Sequence, residues 1–335
     1  MVTLSNVRFL MAAMASAAIL ASCAEPPPPK AAQAAAPPIA LAQTVIDQAS
    51  AYRFYIEQAG AVTPTFADGS GIAEALKVGA SYEPKQLLQG AIAYGAVVAL
   101  QDPAFVAGVR RYAGTAEQRR LIAYEIIKDP AYVIGLEGSA GAAGLVVAAL
   151  GADGSKVYEA GAAVKQSAYN VQRQAWSKAE VAGRAQRLAQ VKSLSTTPVV
   201  GEIDETERLQ RAAVGLQSLD LSPGAATPPY TPSVVRSLSI AALAVLDYAG
   251  ETNLETLNAL MAEPNTSSCA SLAKLNLYQC LAVAKPHYED VFCLGQHAMM
   301  DSGRCVIKAS GMPEPYERRF VPTVRADAGY APARK

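Results

Sequence analysis

Along this chain apolar residues recur at the three- and four-residue spacing of one face of a helix. Nowhere do they alternate with polar residues in a β-branched run bounded by a two-residue turn, so strand signals are nearly absent. Val45, Ile46, Ala49, Tyr52 and Ile56 mark a first amphipathic helix over about 43–58. Past a loop containing Gly69-Ser-Gly71, Pro84 opens a second over 85–101. Asp102-Pro-Ala-Phe-Val106 and Asp129-Pro-Ala-Tyr-Val133 are related helix starts 27 residues apart. In each, Asp can cap the first free amides, Pro suits the first turn and the aromatic begins the buried face. Two copies are too few to define a solenoid. Between them, Thr115-Ala-Glu-Gln118 resembles a capping box for a helix reaching about Lys128.

Gly135, Gly138, Gly141 and Gly144 run into the apolar stretch Leu145–Leu150. The 14 residues from Ser139 to Ala152 are too few to span a bilayer and predict a buried helix with close neighbours. Asp153 then predicts the cap of a long helix over about 154–195, with no proline inside and a solvated face that includes Lys165, Arg173 and Arg187. Val157, Val164 and Val171 form one seven-residue series; Gly161, Ala168, Ala175, Ala182 and Ala189 form another. Such a seam of small residues admits a partner helix at short range. Asp204 to Leu219 reads as the returning helix, its Asp-Glu-Thr-Glu start suiting the positive end of the helix dipole. Ser233 reads as the cap of another apolar helix to about Tyr248, and a shorter one follows from Leu254 to Ala262.

The expected fold class is therefore all-α: an Ala/Gly-rich multi-helix bundle. Only 7% of residues are aromatic, so the core must be built largely from small side chains. The Pro-rich stretch 222–232 is read as a linker between helical domains over 42–221 and 233–311, and 312–335, with four prolines, as an irregular tail.

The start of the chain carries an address. One basic residue, Arg8, precedes twelve mostly apolar residues from Phe9 to Leu20, the n- and h-regions of a secretory signal. Leu20-Ala21-Ser22-Cys23 resembles the lipobox of bacterial lipoproteins. The resemblance covers only the leader and Cys23. It implies a signal peptide over 1–22, cleavage before Cys23, acylation of Cys23 with palmitate-type chains, and anchoring to a membrane through that lipid. Ala24 follows, rather than the aspartate that resembles an inner-membrane retention mark, which favours the outer membrane, facing the periplasm. Residues 23–41, with four consecutive prolines, read as a tether. Removing residues 1–22 takes away Arg8 alone, leaving 28 basic against 29 acidic residues. No electrostatic attraction to nucleic acid follows, and none is expected as a partner.

Cys269, Cys280, Cys293 and Cys305 lie within 37 residues. In an oxidising compartment an even, clustered set reads as two disulfides. On one continuous helix Cys269 and Cys280 stand about 16 Å apart, too far to pair. With Pro286 starting a second, antiparallel helix that ends at Asp301-Ser-Gly303, Cys280 faces Cys293 near the turn and Cys269 faces Cys305 at the open end. The resulting stapled αα-hairpin is similar to the twin-cysteine hairpins of small oxidised proteins, though its spacings of ten and eleven intervening residues depart from their usual nine. The rival arrangement is a zinc site drawing on Cys280, Cys293, His297 and Cys305.

His287 and His297 are the only histidines, and with Glu289 and Asp290 they mark the one place where acid–base chemistry could be assembled. Ser271-Leu-Ala-Lys274 matches the nucleophile motif of penicillin-interacting serine enzymes, but the Lys-Thr-Gly or Lys-Ser-Gly strand they need is missing. Gly151-Ala-Asp-Gly-Ser-Lys156 has the flavour of a phosphate loop and reads better as a turn. The expected function is structural or protein-interaction work at the envelope, with an envelope protein as partner and no cofactor. The alternatives are a hydrolase or metal-dependent enzyme centred on His287 and His297, or a helical groove carrying an apolar ligand.

Overall fold

A computed structural model describes residues 37–222, 224 and 226–322, and the leader, Cys23 and most of the tether lie outside the described residues. Thirteen α-helices are formed among the described residues, and no strand. In order they are α1 (Gln43–Gly60), α2 (Gly69–Ala80), α3 (Pro84–Ala99), α4 (Pro103–Arg110), α5 (Ala116–Lys128), α6 (Ser139–Val171) and α7 (Arg184–Leu194). There follow α8 (Ile203–Ala213), α9 (Pro232–Val245), α10 (Leu254–Met261), α11 (Pro264–Val283), α12 (His287–Cys293) and α13 (Asp301–Ser310).

Side chains cap the starts of α2, α3, α4, α5 and α9. Asp102 accepts from Phe105 N at 2.9 Å with Pro103 in the first turn of α4, and Thr115 accepts from Gln118 N at 3.2 Å to begin α5. The second Asp-Pro start diverges: Asp129 accepts from Ala131 N and opens only a 3₁₀ segment, Pro130–Gly135. Helix α9 is capped by Thr231 and not by Ser233, which lies buried one residue inside it. Helix α8 ends at Ala213, short of the expected Leu219, because Gly215 turns the chain at φ 78° and Leu216 N returns to Arg211 O.

Helix α3 forms the centre, buried from Leu87 to Ala99 save for Gln89, which lies only partly so, with α1, α6 and α9 packed around it. Ala91, Ile92, Ala96, Val97 and Val98 meet Ile56, Val146, Leu238 and Ala241 in one apolar cluster. The expected division at 222–232 therefore does not divide the core: residues on both sides share it, and the described residues form one compact unit. The described residues of the proline-rich stretch run over the surface of a single body, with Ala226 N donating to Ala140 O on α6.

A long helix is present, but α6 occupies 139–171 instead of 154–195, about 50 Å. Asp153 lies in its interior, where Gly151-Ala-Asp-Gly-Ser-Lys156 is helical rather than a turn. The helix stops without a proline. Ser177 Oγ donates back to Val171 O and Gln174 O, offering the backbone an alternative to helix. Residues 179–181 then run antiparallel to 285–287 at the start of α12, with Val181 N donating to Lys285 O at 2.9 Å and His287 N to Ala179 O at 3.2 Å. Gly183, at φ 64°, turns the chain into α7.

The carboxy-terminal hairpin is formed by α11 and the run α12–α13, joined through a π-helical segment Leu294–Met300. Cys280–Cys293 is bridged near the turn and Cys269–Cys305 near the open end, with Cα separations of 5.7 and 5.8 Å. Its second arm does not end at Asp301-Ser-Gly303 but continues to Ser310, where Gly311 terminates it at φ 85°. Gly303 serves close approach: a Cβ there would stand 2.6 Å from Tyr158 N and 2.7 Å from Gly154 O. Gly161 likewise meets Met300 N and Gly295 O. Of the expected small-residue seam only Gly161 and Ala168 lie on α6; Gly161 receives the hairpin, and so does Gly154, one heptad before it and outside the expected series. Beyond it, residues 312–322 are irregular and return over α6, where Gln166 donates to Val321 O.

Candidate functional site

Two of the four acid–base candidates come together. His287 and Asp290, one turn apart on α12, border a cleft of about 630 Å³ whose other walls include Gly69 and Lys77 of α2, and Gln186 and Arg187 of α7. Pro286, which cannot continue the preceding helix, sets the start of α12. The ring of His287 lies so close to Gly69 that a Cβ at that position would run into it, and Trp176 lies on its other flank at 6.3 Å between ring centres. Burial, and then the charge of Arg187, hold the imidazole pKa below its ordinary value.

Asp290 is almost wholly buried, and burial pushes its pKa up to about 6 against the opposing pull of Arg187. The Arg187 guanidinium donates to Asp290 Oδ1 and also to Leu281 O, and Arg184 Nε donates to Ala284 O at 2.8 Å. Two α7 arginines thus cover the carbonyl end of α11, where cations suit both the unsatisfied oxygens and the helix dipole. Arg187, expected on a solvated face, is instead nearly buried at this junction.

The other two candidates are engaged elsewhere. Glu289 turns back to accept from Lys285 N at 2.8 Å. His297 pairs through Nδ1 with Asp301 Oδ2 at 2.8 Å, one helical turn on, beside the edge of Phe292. The zinc alternative loses its thiolates, because Cys280, Cys293 and Cys305 are all consumed in disulfides. No group of three or more His, Cys, Asp or Glu side chains among the described residues could hold a metal ion. Ser271 and Lys274 also have separate engagements: Ser271 Oγ donates to Ser267 O on the exposed side, while buried Lys274 donates to Ala80 O at 2.6 Å and sits 3.4 Å from the centre of the Tyr82 ring.

Further polar structure lies inside the bundle, unseen in the sequence. Arg53 of α1 reaches Asp153 of α6, pairs with Glu57 at 2.6 Å and stands over the Tyr94 ring at 5.1 Å. Burial raises the Asp153 pKa against Arg53, and the network continues through Glu205 to Arg208. Lys165, expected on the solvated face, is buried between Gln296 and Glu317, 4.4 Å from the Phe320 ring centre. The returning segment 312–322 covers it. No spacing could have announced either pairing, since the partners lie at least 100 residues apart.

Among the cavities lined by described residues, that bounded by Leu87, Leu88, Ala91, Ala270, Cys305, Val306 and Ala309 is apolar, but it encloses only about 10 Å³. No single helix among the described residues is long and apolar enough to cross a membrane. The pair α3 and α4 would satisfy length and composition together, but it is bent by 83° and α3 is the buried centre of the fold. No family model, no curated protein and no solved structure matches the chain.

The outer face of α11 offers a different kind of feature. Leu272, Leu275 and Val283 are 57, 49 and 73% exposed. Offsets of three and eight residues put them on one stripe, opposite the buried Ala273, Leu277 and Leu281. This stripe rides on the helix that both disulfides lock to the rest of the hairpin.

Proposed function

We propose that the chain is an envelope lipoprotein, held to the outer membrane on its periplasmic side through lipid on Cys23, and that its helical body docks a protein partner without catalysing a reaction. The observation carrying the interaction role is the aliphatic stripe Leu272, Leu275 and Val283 on a helix braced by two disulfides. A stripe of this spacing fits the groove of a partner helix or sheet, and a helix already fixed in place loses little further freedom on docking. The leader and the lipobox-like Leu20-Ala21-Ser22-Cys23 support the address.

The test is site-specific photocrosslinking in intact envelopes, with p-benzoylphenylalanine at Leu275. A discrete adduct that disappears with Leu272→Asp and Val283→Asp is expected; absence of an adduct overturns the interaction role. Fractionation tests the anchor separately: Cys23→Ser should move the chain out of the membrane fraction, and unchanged membrane retention would refute lipidation at that residue.

The polar cleft favours one second reading, an envelope hydrolase using His287 and Asp290. Against it, the Asp290 carboxylate is committed to Arg187, and Glu289 and His297 serve elsewhere.

A further inference from the structure

A second apolar surface stands apart from the hairpin. On α5, Leu121 and Tyr124 are each 58% exposed and Ile127 is also exposed, at offsets of three residues that set them along one face. Tyr112, before the helix, and Tyr132, after it, are exposed as well. The opposite face of α5 buries Ile122, Ala123 and Ile126 against the body, so this helix is apolar on both sides. Between residues 110 and 128 the chain carries five basic side chains, Arg110, Arg111, Arg119, Arg120 and Lys128, against Glu117 and Glu125, with Arg111 paired to Glu137. Lys128 lies over the ring of Tyr124 at 6.0 Å.

The amino-terminal segment joins the fold alongside α4, the helix that leads into α5. Ile39 shares one surface groove with Val106 and Arg110 of α4 and with the exposed Val214 and Leu216. From Cys23 to Ile39 the chain has only sixteen residues and can reach at most roughly 55 Å.

We infer that the α5 face, with Tyr112 and Tyr132 at its ends, rests on the bilayer to which the chain is anchored, its basic residues meeting anionic lipid headgroups. This rests on the anchor reading above. Tyrosine is suited to the membrane interface because its ring is apolar and its hydroxyl polar. Leucine and isoleucine supply the buried area, and the surplus of Lys and Arg supplies attraction to an anionic leaflet. A short tether, joining the body alongside α4, keeps the local concentration of this face at the membrane high, so a contact that would be weak in free solution persists. The α11 stripe then remains available to a protein partner.

The lipidated full-length protein, reconstituted at low density in vesicles of phosphatidylethanolamine and phosphatidylglycerol, tests this by flotation and hydroxyl-radical footprinting. The expected result is co-flotation with oxidation of Leu121 and Tyr124 slowed by about threefold or more relative to the protein in detergent, the exposed Tyr316 serving as reference. Leu121→Asp with Tyr124→Asp, surface changes that leave the core intact, should still float but lose the protection of Tyr132. Flotation with unchanged oxidation overturns the face and leaves the anchor standing, whereas failure to float overturns both. Protection that grows with protein density assigns the face to a second copy, and protection seen only in native envelopes assigns it to another protein. Either outcome overturns the proposal.

Discussion

Arg187 and Asp290 form a nearly buried ion pair that joins α7 to the start of the second hairpin arm, while the same guanidinium reaches Leu281 O at the end of the first arm. One side chain thus ties both arms of the hairpin to the rest of the fold. The carboxyl titrates near pH 6 in the folded chain and near 4 in an unfolded one. Between those values the folded state binds more protons, so this group makes stability fall as pH rises from 4 to 6 and leaves it level above. Asp290→Asn should flatten that slope in urea midpoints measured across this range; an unchanged slope would refute the assignment. Arg187→Ala, which strands a buried carboxylate and uncovers the α11 carbonyls, should cost about 3 kcal/mol at pH 7.

The glycine seam makes a sharper steric prediction. A methyl at Gly303 meets backbone atoms of Tyr158 and Gly154, which cannot swing aside as a side chain could. Gly303→Ala should therefore separate α13 from α6 and destabilise the fold by about 1–3 kcal/mol despite the better helix propensity of alanine. Gly250 is the control, since a Cβ there meets nothing within 4 Å and its φ of −82° suits any residue. Gly250→Ala should be neutral or slightly stabilising. Equal midpoints for the two variants in thermal denaturation would show that α6 and α13 do not cross this closely.

The same seam shows where sequence reading succeeded and where it failed. Caps are local chemistry, so Asp102-Pro103 and Thr115 disclosed the starts of α4 and α5. The disulfide-stapled hairpin was also legible, because cysteine spacing and helix geometry limit which sulfurs can meet. Glycine is ambiguous: Gly303 read as a terminator, yet it permits helix crossing, and only the identity of the opposing backbone tells the two apart. Asp153 read as a helix cap because its partner, Arg53, lies 100 residues away. The cleft draws its walls from residues 69, 77, 187 and 287, so His287 and Asp290 pointed to the neighbourhood but could not disclose Gly69 or Arg187. The exposed stripes of α5 and α11 were hidden for a related reason: a helix apolar on two faces reads simply as buried.

The two disulfides should contribute unequally. Cys269–Cys305 closes a sequence separation of 36 residues and Cys280–Cys293 one of 13. On loop-closure entropy the outer bridge stabilises by about 4 kcal/mol and the inner by about 3. The inner bridge lies beside the turn, where Pro286 and the Arg184 and Arg187 contacts already restrain the chain. The outer bridge holds the open end, where α11 would otherwise be free to part from α13. Replacing Cys269 and Cys305 together by Ala should thus lower the guanidinium midpoint more than replacing Cys280 and Cys293. It should also speed amide exchange in the first turns of α11, whereas the inner pair should leave those turns protected. The reverse order in both measurements would show that the turn, and not the open end, is where the hairpin most needs its staple.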